Sequence, residues 1–436
     1  MEVIHRLTIT ITDLRVIAAR TAGNPWVRGV ATTAGTRAAV LMLGLGSTVA
    51  LARGLGPTGR GVYALAMTVA TLAVVVFNLG FHSANTYFAS REPETLPTLV
   101  SNTFAKAGAV GALGAVLLLV SRTFGIEAKP LSFGLMILIV AWVPVGLVFI
   151  QLQPLLLVLG KLRLYNIAEG GWQIASVALV VGLWVTGHLT PASALLVTLA
   201  AFVAGATAVA VSVTSASPGL APPSMRLFQR VLPYAGRSYA VTVTGIALVR
   251  LDIFLVENRL GTREVGLYAV AATICEAIQV LPGTIGALLL PKISALTDGH
   301  QQWAITRRVA VVTTGLMLVV CGAVALLAEV GVRVLYGEAF LPSTTPLYWL
   351  LPGIVLLGAN TVLIHYFLAI GMPRTIVIAQ ALAVVLNLGL AAVLLGPLGL
   401  AGAGLASSIA YGAMFVATLS YAVISRRRNL RETVPS

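Results

Sequence analysis

Glu276 stands in the middle of an apolar stretch that runs from Val265 to Leu290. A carboxylate in such company must face a cavity, pair with a cation, or hold its proton. It could therefore bind a coupling proton or sodium ion, or remain a neutral acid hydrogen-bonded within a bundle. Thr273, Glu276, Gln279 and Gly283 recur every three or four residues, which is one face of a helix. Thr71, Asn78, His82 and Asn85 recur at spacings of 7, 4 and 3 and read the same way. Arg250 and Asp252 interrupt a further apolar run. Two residues apart, they do not face each other on a helix, so each needs another partner. Asp252 is a second candidate for ion coupling. An arginine fork grips phosphate oxygens through paired hydrogen bonds, which makes Arg37 and Arg250 candidates for an anionic ligand. Asn78, His82, Asn85, Gln279 and Asn360 would offer donors and acceptors to a polar ligand. The plainer chemistry of these amides is interhelical hydrogen bonding, about 1 kcal/mol each. Arg37 could equally anchor its helix at lipid headgroups, and Arg250 could pair with Asp252 or Glu276. His365 shares a face with Thr361, but no other His or acid is spaced to join it on a metal, and no cofactor is expected. Cys275 and Cys321 lie in apolar runs, which fits neither a disulfide framework nor a metal site.

The elements that hold these residues follow from composition. The chain has 436 residues, 58% hydrophobic and 10% charged, whereas soluble domains carry about 25% charged residues. So few charges cannot coat a water-facing surface, which excludes a soluble enzyme, a disordered tail and an ordinary nucleic-acid binder. A polytopic membrane protein remains. Twelve runs reach the ~20 residues that a spanning helix requires: 34–53, 61–82, 102–121, 132–153, 166–187, 191–213, 236–256, 265–290, 306–328, 346–370, 375–395 and 400–424. Residues 1–33 lack the apolar core of a signal peptide and read as a cytoplasmic arm or interfacial helix. Residues 34–213 and 236–424 form two six-helix halves, 214–235 a cytoplasmic linker containing Pro218, Pro222 and Pro223, and 425–436 a basic cytoplasmic tail.

An even number of spans puts both termini on one side. With the termini inside, the cytoplasmic side holds 20 of the 28 Lys and Arg residues and the outer side 7, Arg60 in the loop after the first span among them, with Arg250 inside a span. The positive-inside rule favours that orientation, and the net charge of +14 also attracts anionic lipid. Sliding the chain by 205 residues aligns Leu55-Gly56-Pro57…Gly61-Val62-Tyr63-Ala64-Leu65-Ala66 with Leu260-Gly261-Thr262…Gly266-Leu267-Tyr268-Ala269-Val270-Ala271. Gly160-Lys161-Leu162-Arg163 aligns with Gly371-Met372-Pro373-Arg374 at 211. Both displacements equal six spans, so the halves are parallel repeats about an axis along the membrane normal. The expected fold is all-α, two six-helix bundles related by a pseudo-two-fold axis and facing a central cleft.

Arg53-Gly54-Leu55-Gly56-Pro57 followed by Gly61-Val62-Tyr63-Ala64 resembles the signature after the first span of bacterial oligosaccharide flippases. These belong to the multidrug/oligosaccharidyl-lipid/polysaccharide exporter (MOP) superfamily. Leu290-Pro291-Lys292-Ile293-Ser294, Tyr336-Gly337, Ala369-Ile370-Gly371-Met372-Pro373-Arg374 and Gly402-Ala403-Gly404 continue the likeness in order over residues 30–425. The resemblance implies a flippase of the bacterial cytoplasmic membrane. It would move a lipid-linked oligosaccharide, with a polyprenyl pyrophosphate carrier, by alternating access for cell-surface polysaccharide synthesis. Implied partners are the lipid-linked saccharide, membrane lipid, glycosyltransferases and a polysaccharide polymerase, with no nucleic acid. A cation-coupled multidrug extruder of the same superfamily is the alternative, although the first span carries Arg37 and no acid. A membrane glycosyltransferase would need paired carboxylates. The chain has three Asp residues, at 13, 252 and 298, and no large loop for a catalytic domain.

Overall fold

The computed structural model describes residues 25–125, 130–217, 219 and 221–432, with side chains except at 25–43, 237–238 and 426–432. Inside hydrocarbon every backbone N–H and C=O must find a partner within the protein, which for single segments means helix. Every regular element among the described residues is helical. The first half comprises α1 (Pro25–Asn78), α2 (Phe81–Arg91), α3 (Leu96–Thr123), α4 (Phe133–Leu152), α5 (Leu155–Val158), α6 (Leu162–Val185) and α7 (Pro191–Thr214). The second comprises α8 (Met225–Arg250), α9 (Asp252–Leu260), α10 (Thr262–Ser294), α11 (Gly299–Tyr336), α12 (Thr344–Ile370), α13 (Arg374–Leu398) and α14 (Leu400–Glu432).

Eleven stretches among the described residues are long and apolar enough to cross a membrane. The sequence count of twelve differs because α1 contains two of the expected spans. Its 54 residues would extend about 80 Å at ~1.5 Å per residue, far beyond a ~30 Å hydrocarbon core. The helix is broken at Gly56, where φ 65 and ψ 178 are open to glycine but not to a side-chain-bearing residue. Pro57 then starts the second arm, in the position where its missing N–H costs nothing. Gly261 (φ 95, ψ 172) makes the same break between α9 and α10. The second repeat register has its counterpart in Gly160 (φ 69) and Gly371 (φ 100).

The two halves build separate cores. One runs from Ala50 to Ala235, and the other from Leu248 to Met414 with Ala52, Ala64 and Leu65 joined to it. Ala52 precedes the Gly56 break, and Ala64 and Leu65 mark where the second arm of α1 crosses α10. A Cβ added at Gly61 would overlap the Thr262 carbonyl oxygen and lie 3.0 Å from the Gly266 nitrogen. A Cβ at Gly266 would overlap the Pro57 carbonyl oxygen and lie 2.9 Å from the Gly61 nitrogen. The contact is reciprocal between repeat-equivalent positions, as a two-fold axis through it requires. Beside it, Arg53 donates from Nε to the Leu335 carbonyl at 2.7 Å and also to the Val334 carbonyl. These are free acceptors in the last turn of α11, at the end where a cation is favoured. The Gly56 end of the cleft is thus closed.

At the opposite end, Leu79 (φ 53) and Gly80 (φ 77) stop α1, and α2 turns across the first turns of α8. Phe81 stacks on Phe228 and Tyr87 on Tyr234, with centroids 4.8 and 4.3 Å apart. Arg230 pairs with Glu92. Asn102 both donates to the Ser224 carbonyl (3.0 Å) and accepts from the Ser224 N–H (2.7 Å). Ser224 also caps α8 by accepting from Leu227 N–H. From Met225 the expected linker is therefore helical, docked on the first lobe and continuous with the next span.

Candidate functional site

Between the lobes lies a cavity of about 410 Å³. Thr48, Arg60 and Tyr63 reach it from α1, Gln173 from α6, Arg250 and Asp252 from the α8–α9 junction, and Tyr268, Thr273 and Glu276 from α10. Tyr63 and Tyr268 are repeat equivalents, so the cavity sits on the pseudo-two-fold axis.

Leu251 keeps helical φ and ψ (−75, −24), and the two-residue spacing points Arg250 and Asp252 to different partners. Arg250 forms an ion pair with Glu276 at 2.8 Å, both side chains being about two-fifths exposed. Asp252 is 2% exposed and accepts hydrogen bonds from the Tyr268 hydroxyl and from Ser407 Oγ at 3.2 Å. Ser407 Oγ is also 3.3 Å from Asn387 Oδ1, and Asn387 Nδ2 donates to the Leu248 carbonyl at 3.0 Å. The second carboxylate oxygen, Asp252 Oδ1, is buried without a partner. The result is a buried group rich in oxygen acceptors with one acceptor unused.

Arg60 also lines this cavity, although its place between the first two expected spans reads as an outer loop. It is 7% exposed, and its Nε has no hydrogen-bond partner. Its guanidinium lies 5.7 Å from the Tyr63 ring centroid. No carboxylate among the described residues forms an ion pair with it. The available signal was the Gly56-Pro57 pair. It marks a helix restarting at Pro57, which puts Arg60 in a first helical turn rather than a loop.

Two further spaces adjoin this cavity. One, of about 810 Å³, is an apolar groove walled by Val49 of α1, Ile274 and Leu281 of α10, and Val320, Leu327 and Val332 of α11. It shares Leu45 and Ala277 with the polar cavity. The other, of about 430 Å³, lies within the second lobe and is where Gln279 and Asn360 are found. Gln279 Nε2 donates to the Ile354 carbonyl at 2.8 Å.

The remaining candidates fall elsewhere. Asn78, His82 and Asn85 do not line the interlobe cavity. The Leu79–Gly80 break removes the continuous helical face on which they were aligned. Asn78 Nδ2 and His82 Nδ1 are 2.7 Å apart, Lys106 donates to the Asn78 carbonyl at 3.0 Å, and Asn85 donates to Thr103 Oγ1 at 3.3 Å. Thr71 and Thr273 hydrogen-bond to carbonyls four residues back in their own helices. His365 is engaged with the Thr361 carbonyl at 2.8 Å and packs on Gly286. The Arg37 side chain lies outside the described residues.

A family model described as "Polysaccharide biosynthesis protein" matches residues 26–297. The chain belongs to that family. A second model, "Lipid II flippase MurJ", matches residues 263–433. No curated protein matches the chain. Among solved structures, "Lipid II flippase MurJ, inward closed conformation" superposes with a TM-score of 0.72 at 14% identity, covering 90% of this chain and 87% of the other. The inward-facing conformation of a multidrug resistance MATE family transporter of the MOP superfamily gives 0.67 at 14%, covering 91% and 96%. The outward-facing conformation of such a transporter gives 0.66 at 15%, covering 93% and 95%. These likenesses establish the two-lobed MOP-superfamily transporter fold. The second family model and the superposed structures are described as those of flippases and transporters.

Proposed function

We propose that the chain is a flippase for an oligosaccharide linked through diphosphate to a polyprenyl lipid, carried across the cytoplasmic membrane by alternating access for surface polysaccharide synthesis. One observation carries the reading: the interlobe cavity, with Arg60 and Arg250 on its wall, adjoins a long apolar groove through Leu45 and Ala277. A molecule with an anionic head and a hydrocarbon tail matches both spaces at once. The head leaves water for a cationic cavity, while the tail stays among aliphatic side chains. Arg60, buried and without an ion-pairing acid among the described residues, brings positive charge to the cavity where phosphate would sit. A cationic drug would meet repulsion from the same residue, which disfavours the multidrug reading. Glu276 balances Arg250 in the empty cavity and yields it to phosphate when cargo arrives. Asp252, with its free acceptor, is the stronger candidate for a coupling proton or cation.

In this reading both termini are cytoplasmic, and the closed Gly56 end faces outward, as the distribution of cations favours. The cavity then loads from the inner leaflet. The test is flipping in proteoliposomes. Purified protein should move labelled polyprenyl-diphosphate saccharide between leaflets, and should leave cationic dyes untransported. Dye extrusion without lipid movement would reverse the assignment in favour of the extruder.

A further inference from the structure

We propose that the chamber inside the second lobe is a saccharide subsite, receiving the sugar next to the diphosphate and preferring one with an apolar substituent such as an acyl or deoxy group. This rests on the flippase reading and adds to it a second binding compartment and a sugar chemistry.

The chamber holds about 430 Å³, within the ~300–1,000 Å³ range of small-ligand sites. It is separated from the arginine-bearing cavity by a ridge of α10 together with Val249 of α8. Tyr268, Ala272, Glu276 and Val280, spaced by one helical turn, line both spaces. A diphosphate held by Arg250 against that ridge would present its first sugar to the other side. No Lys or Arg lines the chamber, so the anionic part of the cargo has no reason to enter it.

Two side chains there lack the partners that buried amides require. Asn360 on α12 is 1% exposed and Gln380 on α13 is 6% exposed. Neither makes a hydrogen bond among the described residues, and Asn360 Oδ1 and Gln380 Oε1 are buried and unsatisfied. Unmet amides in a cavity wall are expensive unless a polar ligand meets them. Each amide offers both donors and an acceptor, which suits sugar hydroxyls that both give and accept. A free cation is a poorer occupant, because the one carboxylate on the wall, Glu276, is already paired with Arg250. Glycine at 245 keeps room beside the amide, since a Cβ there would come within 3.0 Å of Gln380 Nε2.

The rest of the wall sets the preference. Leu248, Ile354, Leu357 and Met414 are aliphatic, and Tyr268 and Tyr411 add ring surface. A pyranose hydroxylated at every carbon would strand hydroxyls against these groups. An acyl methyl or a deoxy position would be accommodated there.

The experiment compares three labelled lipids in proteoliposomes: polyprenyl diphosphate without sugar, with an N-acylated hexose, and with a fully hydroxylated hexose. The parent should flip the N-acylated form faster than the fully hydroxylated one. Gln380→Leu and Gly245→Val should each slow the sugar-bearing lipids about 10-fold, the scale of one or two lost hydrogen bonds. Both should leave the sugar-free lipid within about twofold of the parent, which also reports a folded protein. Equal slowing of all three lipids, or of none, would overturn the subsite. Failure of the parent to flip any of them would instead overturn the flippase reading on which it rests.

Discussion

A methyl group at Gly266 tests whether the α1–α10 crossing closes the cleft. In the closed arrangement it would overlap the Pro57 carbonyl oxygen and lie 2.9 Å from the Gly61 nitrogen. Non-bonded atoms settle at about 3.5–4.0 Å, so relieving the closer overlap, with the carbonyl oxygen, requires the helices to part by roughly 1.5 Å or more. Both obstacles are backbone atoms and cannot rotate aside. Overfilling a packed contact costs about 1–3 kcal/mol, which shifts a two-state equilibrium by roughly 5–150-fold. Gly61→Ala meets the reciprocal pair, Thr262 and Gly266, and should act in the same direction. The double variant should cost less than the sum, because one separation relieves both clashes. Spin labels on cysteines introduced at Thr58 and Arg263, both exposed, would report the separation by pulsed dipolar spectroscopy. The native Cys275 and Cys321 are buried, which protects them from labelling. Gly266→Ala should deplete the short-distance population in favour of a longer one. An unchanged distribution in a folded variant would show that this contact does not set the closed state.

Three other outcomes are expected. Arg250→Ala and Arg60→Gln should each lower lipid-linked saccharide flipping more than about 10-fold at preserved protein levels. Arg250→Lys should rescue only in part, and parental rates in both variants would remove the cationic cavity from the mechanism. Asp252→Asn should abolish dependence on the ion gradient, whereas Glu276→Gln should slow flipping yet keep that dependence; measuring rates with and without imposed gradients distinguishes the two. Reporter fusions should show an outer location after Gly187 and a cytoplasmic one after Ser217 and Ser436, and outer activity at either of the latter sites would reverse the proposed orientation.

The spans were legible because hydrocarbon leaves a chain almost no other choice, and apolar length is a one-dimensional signal. The repeat was legible through Gly56 and Gly261, whose positive φ values demand the same residue in both halves. Misreadings arose where one residue redirected the chain. Leu79 and Gly80 end α1, so Asn78 and Asn85 lost the common face that periodicity gave them. The Gly56 break occupies a single residue, so Arg60, read as a loop cation, is buried in a helix. Asp252 was visible as a costly carboxylate, but Ser407 lies 155 residues away, and no local spacing announces such a partner. Gln380 shares a helical face with Asn387, seven residues on, but that spacing does not say which cavity the amide meets, and only the shape of the chamber makes it conspicuous.

Cargo and closure meet on the same two helices. Arg60 adjoins Gly61 on α1, while Tyr268 and Glu276 lie on α10 within three turns of Gly266. Arg60 belongs to the first lobe and Arg250 to the second, yet both face the one cavity. Without cargo, like charges from opposite lobes oppose closure, and Glu276 forms its ion pair with Arg250. A diphosphate bridging the two arginines would turn that repulsion into attraction across the lobes. A ligand moves an equilibrium only through different affinities for its two states, and the bridge supplies that difference because it can form only when the lobes are close. Polyprenyl diphosphate should therefore enrich the short Thr58–Arg263 distance, and a neutral polyprenol should not. Arg60→Gln should abolish the enrichment, because it removes the one bridge contact contributed by the first lobe. Enrichment by the neutral lipid, or its persistence in Arg60→Gln, would mean that tail binding in the groove drives closure and that the arginines serve affinity alone.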